Sequence, residues 1–167
     1  MKSQSIYLAL VVLLLCPCAT AQWIQTNGPM GGEVYSLVVS SANLFAGTYG
    51  GGVFLSTNNG TSWTAVNTGL TDIRVMALAI SGTNFFAGTA GGVFLSTNNS
   101  ASWTAVNTGL TNTSVHAFAV SGTNLFAGTF GGGVFLSTNN GTSWTAASAG
   151  LTNTRVAALA VSGTNLF

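Results

Sequence analysis

The stretch Leu55-Ser-Thr-Asn-Asn-Gly-Thr-Ser-Trp-Thr64 returns, nearly unchanged, at residues 95–104 and again at residues 136–145. Trp63, Trp103 and Trp144 stand 40 and 41 residues apart, and Trp23 stands 40 before the first. A self-similar period of about 40 residues means that one supersecondary unit has been copied and laid side by side. Such a unit cannot bury its own apolar faces, so each copy must pack on the next.

One unit, taken from Val75, has four short apolar runs. These are residues 75–80, 84–88, 93–96 and 102–106. They are parted by the turn Ser81-Gly82-Thr83, a glycine loop at 89–92 and the polar turn 97–100. Runs of this length, rich in β-branched and aromatic residues and bounded by Gly, Asn, Ser and Thr, read as strands. No capped amphipathic helix is visible. Four strands per copy make an all-β chain, a β-propeller of four-stranded blades. The blades are expected at residues 34–66, 75–106 and 115–147, with a partial blade at 156–167.

The first strand of each copy has a small face and a large one. Ser36, Ala77, Ala79, Ala117, Ala119, Ala158 and Ala160 are small, while Leu37, Val39, Leu78, Ile80, Phe118, Val120, Leu159 and Val161 are large. A strand apolar on both faces is buried on both, so this strand is expected to lie innermost. At the other end of the order, Trp23-Ile24-Gln25 matches a fourth strand without its own blade. Residues 22–25 are therefore expected to act as a closing strand. Three full units and two fragments do not close a ring of about four to eight blades. The chain is accordingly expected to be the N-terminal part of a longer one, whose remainder completes the ring and covers the open sheet edges.

Residues 1–21 read as an export signal: Lys2, an apolar run from Ile6 to Leu15, and a small-x-small ending at Ala21. The run is shorter than the roughly 20 residues of a membrane span. No span is therefore expected after cleavage, and the mature chain is expected to be secreted, periplasmic or held at the cell surface. Cleavage would remove both cysteines, which excludes a disulfide scaffold and a cysteine-ligated metal site. The remaining charges, Glu33, Asp72, Arg74 and Arg155, sum to zero. That leaves no basic face for nucleic acid. With only 3% charged residues, against roughly 25% in ordinary globular chains, the surface must be solvated by Asn, Thr and Ser.

The run Ser56-x-Asn58-x-Gly60-x-Ser62-Trp63 resembles the Asp-box, or bacterial neuraminidase repeat, with Asn in place of Asp. It recurs as Ser96, Asn98, Ser102 and Trp103, where Ser100 replaces Gly, and as Ser137, Asn139, Gly141, Ser143 and Trp144. The wider pattern is similar to photosystem II stability/assembly-factor-like propellers and to sialidase- and sortilin-type propellers. The resemblance implies a structural box: a short polar side chain gathers backbone N–H groups, Gly takes positive φ, and Trp packs on the neighbouring strand. It also places these boxes at the outer edge, away from any active site.

Sialidase chemistry needs an arginine cluster, a tyrosine–glutamate pair and an acid/base aspartate. Residues 22–167 supply Arg74, Arg155, Glu33, Asp72 and the tyrosines Tyr35 and Tyr49, with no carboxylate beside either tyrosine in a nucleophile pattern. The triple glycines at 50–52 and 131–133 join strands and precede no Gly-Lys-Ser/Thr, so they are not phosphate cradles. No catalytic constellation, cofactor or metal site is therefore expected. The sequons at Asn59, Asn98, Asn112 and Asn140 are what chance provides in a chain rich in Asn and Thr.

One pattern stands out. The residue before each inner strand is Glu33, Arg74, Ser114 or Arg155, and Asp72 precedes Arg74 by two. The loop after the second strand carries Tyr49, Ala90 or Phe130, and the second residue of the inner strand is Tyr35, Met76, His116 or Ala157. In a propeller these positions share one face. Glu33, Tyr35, Tyr49, Asp72, Arg74, His116, Phe130 and Arg155 are thus expected to form a rim that contacts an unidentified protein or glycan. The competing reading is that the charges solvate the strand starts and His116 is a satisfied core histidine. Three functions fit: a binding or assembly scaffold without enzyme activity, a glycan-binding or sialidase-like glycoside-cleaving propeller with catalytic groups expected beyond Phe167, and a surface adhesive module.

Overall fold

A computed structural model describes residues 27–167. The signal segment and the closing strand at 22–25 lie outside them. Within them, β1 (Val34–Ser40), β2 (Asn43–Thr48), β3 (Gly52–Ser56) and β4 (Thr64–Ala65) form one antiparallel meander in that order. The second sheet repeats it with β5 (Val75–Ser81), β6 (Asn84–Thr89), β7 (Gly92–Ser96) and β8 (Thr104–Ala105). The third does so with β9 (Val115–Ser121), β10 (Asn124–Thr129), β11 (Gly133–Ser137) and β12 (Thr145–Ala146). A hairpin of β13 (Val161–Ser162) and β14 (Asn165–Leu166) follows. The described residues contain no helix. These sheets are the blades of a β-propeller, as the repeat requires.

The core lies between sheets. Phe45 and Val53 of the first blade meet Val75, Phe85, Ala87, Phe94 and Trp103 of the second. Ala79, Phe86 and Val93 of the second meet Val115, Leu125, Phe135 and Trp144 across the next junction. The large face of each inner strand points backward, with Leu78 and Ile80 packed at the first junction and Phe118 and Val120 at the second. On β1 the same face has nothing described against it, and Leu37 and Val39 are each 64% exposed. At about 25 cal/mol per Å² of apolar area, covering that face is the gain each inner junction already holds.

The inner strands come close because the neighbouring second strand has no side chain at one point. A Cβ on Gly47 would meet Val75 and Leu78, on Gly88 it would meet Val115 and Phe118, and on Gly128 it would meet Val156 and Leu159. The fourth strands are shorter than the sequence suggested: β8 holds two residues rather than 102–106. Trp103 lies outside β8 and bonds the preceding unit instead. Its backbone N–H bonds the Thr68 carbonyl (2.8 Å) and its indole N–H bonds the Val66 carbonyl (2.7 Å), both in the preceding unit. Trp144 does the same with Thr108 and Val106, at 2.8 Å each. Among the described residues Trp63 Nε1 meets no acceptor; the residue one period before Val66 lies outside them.

The polar turns explain the boxes. Ser56 Oγ donates to Asn58 Oδ1 (3.0 Å) and accepts the Gly60 N–H (2.9 Å), while Asn58 Oδ1 accepts the Ser62 N–H (2.9 Å). Ser96 with Asn98, and Ser137 with Asn139, repeat this network. Gly60 and Gly141 sit at φ 83° and 79°, and Ser100 is held at φ 62° in the same place. That region costs a residue with a Cβ roughly 1–2 kcal/mol.

Candidate functional site

The rim is assembled by two devices that recur in each blade. The first is a buried threonine. Thr48 Oγ1 donates to the Gly52 carbonyl (3.1 Å) and accepts the Gly51 N–H (3.0 Å), which fixes the loop carrying Tyr49. Thr129 closes the Phe130 loop in the same way, with Gly133 (2.9 Å) and Gly132 (3.0 Å). Backbone bonds then tie these loops to the inner strand of their own blade, Tyr49 N–H to Glu33 O (3.0 Å) and Phe130 N–H to Ser114 O (2.9 Å). They also tie them to the next unit, Gly52 N–H to Ile73 O (3.0 Å) and Gly133 N–H to Thr154 O (2.8 Å).

The second device is a β-bulge, which the sequence reading missed. The pairing of β1 with β2 skips Tyr35, that of β5 with β6 skips Met76, and that of β9 with β10 skips His116. An extra residue of this kind leaves the ladder and re-aims its side chain. A signal was present. A strict period of two puts Val75 on the small face with Ala77 and Ala79, and Val115 with Ala117 and Ala119; one inserted residue moves each to the large face, where Val75 and Leu78 both meet Gly47.

The structure sorts the eight predicted residues into three groups. In the first, Tyr35 and Tyr49 rings lie 5.5 Å apart, and the Tyr35 hydroxyl donates to Glu33 Oε2 (2.9 Å). That hydrogen bond, then the Glu33 charge, raises the Tyr35 pKa. In the second, the Arg74 guanidinium grips Asp72 through Nε–Oδ1 (3.1 Å) and Nη2–Oδ2 (2.9 Å). Burial pushes the Asp72 carboxyl up, but hydrogen bonds from the Arg74 side chain and backbone, and its charge, outweigh this and hold it below the ordinary value.

In the third, the Arg155 guanidinium carbon lies 4.0 Å over the Phe130 ring, and His116 stacks on Phe130 at 5.2 Å with 30° between the planes. Ser114 Oγ is 3.2 Å from His116 Nε2. Burial first, and the Arg155 charge second, lower the His116 pKa, which favours the neutral ring. Between the two aromatic groups the middle blade is low. Its loop is one residue shorter and carries Ala90, and its bulged Met76 is 93% buried, since only 7% is exposed. The rim is thus two aromatic platforms, each flanked by charge, with a saddle between them.

A cavity of about 400 Å³ lies beside Arg155, lined by Val134, Leu151, Val156, Leu159 and Phe167 among others. It is bounded by the two-stranded hairpin, and Arg155 is its one charged group. Among the described residues no three His, Cys, Asp or Glu side chains converge as a metal centre.

No protein-family model and no curated protein matches the chain. Solved structures do. An ancestral GH74 enzyme is 29% identical over 82% of this chain, with a TM-score of 0.64, and the match spans 21% of that enzyme. YCF48 from Cyanidioschyzon merolae is 17% identical over 75% of this chain, with a TM-score of 0.60, across 40% of its own length. A structure of YCF48 bound to D1 peptide is 12% identical over 76% of this chain, with a TM-score of 0.53, across 42% of its length. The chain therefore spans a fifth to two fifths of these propellers.

Proposed function

We propose that the protein is a secreted, non-enzymatic binding module whose upper rim holds a polypeptide partner. One observation carries the reading. The copies agree almost everywhere and differ at the bulge, the adjoining loop and the residue leading into the inner strand, which are the positions that meet at the rim. Exposed aromatic side chains beside a few charges supply what interfaces use most, large rigid rings and arginine. Tyr49 and Phe130 are 49% and 44% exposed, too open for core residues. YCF48, a propeller of similar fold, is seen bound to D1 peptide, which lends general support to a polypeptide partner.

Peptide display tests the proposal. Ligands selected on the wild-type protein should lose binding to Tyr49→Ala and Phe130→Ala variants of unchanged thermal stability. Ligands that bind both variants as well as the wild type would overturn it.

A second reading, glycan binding with catalytic groups elsewhere in the chain, draws on the 29% identity to a GH74 enzyme. Aromatic platforms suit sugar rings as well as peptides. A glycan array probed with the same variants decides between the two.

A further inference from the structure

We infer that the Arg155 end of the rim is a carboxylate-binding site, shaped for an acidic group carried beside a flat or apolar surface. The inference rests on the reading of the rim as a binding face and names the chemistry that one end of it takes.

The first observation is a contrast between equivalent positions. Three of the four units lead into the inner strand through a short turn in which an Asx side chain accepts the N–H two residues on; the first has Gly31 there. Asp72 takes the Arg74 N–H (3.0 Å), Asn112 takes that of Ser114 (3.1 Å), and Asn153 takes that of Arg155 (2.9 Å). The turn is the same with Asp or Asn. The charge is not. Asp72 neutralises Arg74 through both oxygens, whereas Asn153 brings no charge to Arg155. The only ion pair among the described residues is Arg74–Asp72. One of two equivalent arginines is therefore satisfied from within, and the other meets no acceptor for its fork of N–H donors among the described residues.

The second observation is that Arg155 is held. Its backbone bridges to Phe130, and its guanidinium lies on the Phe130 ring at 4.0 Å. A guanidinium attracted to a ring face in this way is restrained, and its N–H donors stay available to a bidentate acceptor. A ligand that offers a carboxylate to those donors also meets the exposed part of Phe130.

The third is His116, which the bulge sets against the same ring. Arg155 is the charged group that acts on it. Asp72 and Arg74 close on each other at the previous junction, and Glu33 is engaged by Tyr35. A bound carboxylate offsets the arginine charge and makes the imidazole easier to protonate. By linkage, protonating His116 must tighten carboxylate binding by the same factor. The site therefore strengthens as pH falls.

His116 is the one histidine of the chain, so its ring signals in NMR report on this place alone. The full chain would be titrated with N-acetylphenylalanine, with its C-terminal amide, and with glucuronate. N-acetylphenylalanine should move the His116 signals and shift their titration midpoint to higher pH. The amide, which lacks only the charge, should not. Arg155→Gln should abolish the response with the fold intact, and Arg74→Gln should leave it in place. A response to glucuronate alone assigns the carboxylate to a sugar acid, and a response to N-acetylphenylalanine alone assigns it to a peptide. Equal responses to acid and amide, no response to any probe, or a response that survives Arg155→Gln would each overturn the inference. Loss of display ligands on Tyr49→Ala in that event would leave the rim standing as a binding face without carboxylate recognition.

Discussion

The outer turns and the upper rim are made by the same repeat, and they treat its copies in opposite ways. At Ser56, Ser96 and Ser137 the hydroxyl makes the same hydrogen bonds in all three blades, to within about a tenth of an ångström. At the rim no two copies agree: Tyr35 beside Tyr49, Met76 beside Ala90, His116 beside Phe130. The turns satisfy backbone groups that every blade shares, so any departure costs stability at once. The bulged residues sit outside the ladder, so their identity is set by what they meet rather than by what holds the sheet.

The contrast breaks most readily at the tryptophans. Trp103→Ala and Trp144→Ala should each cost about 3–5 kcal/mol in urea unfolding, since each ring is buried and its N–H bonded across a junction. Trp63→Ala should cost less, because Trp63 is only half-buried where Trp103 and Trp144 are buried. Equal losses would mean that burial at the junctions does not set the cost.

Gly109→Ala should cost at least about 1–2 kcal/mol by the same measurement. Gly109 has φ 83°, and a Cβ there would strike the Trp144 carbonyl oxygen. Within the turns, Ser137→Ala should cost about 1–3 kcal/mol by stranding the Gly141 N–H. Ser100→Gly should instead raise stability, by up to about 1 kcal/mol, through relief of a left-handed serine.

Rim changes should be the mildest. Phe130→Ala and Tyr49→Ala should stay within about 0.5 kcal/mol of wild type. A larger loss would make the rim part of the scaffold. The sign of one pH effect sharpens the same point. His116 has a folded pKa below its ordinary 6.5, so the unfolded chain binds more protons as pH drops through that value. Stability should therefore fall on acidification below pH 6.5, and His116→Asn should flatten that slope.

The propeller was legible because each copy reports the same strands again. A single run such as Val93–Ser96 is ambiguous, but its recurrence as Val53–Ser56 and Val134–Ser137 removes the ambiguity. The face assignment of the inner strand was legible for the same reason. Two features were not. The fourth strand is two residues long in every blade, and Trp103, which looks like a strand residue locally, bonds a carbonyl in the preceding unit. The sequence reading brought the rim residues to one face but did not divide them into three clusters. Nor did it show that Asp72 and Asn153 make the same turn with opposite consequences for the arginine that follows. Those outcomes depend on distances across a junction, which a period along the chain does not encode.

The bulge has a consequence for how such a chain diversifies. A freshly duplicated unit inherits the fold whole, and with it one residue that lies outside the strand pairing. Selection can then rewrite that address in one unit without disturbing the others. A ring of near-identical parts thereby acquires a surface on which every sector is different.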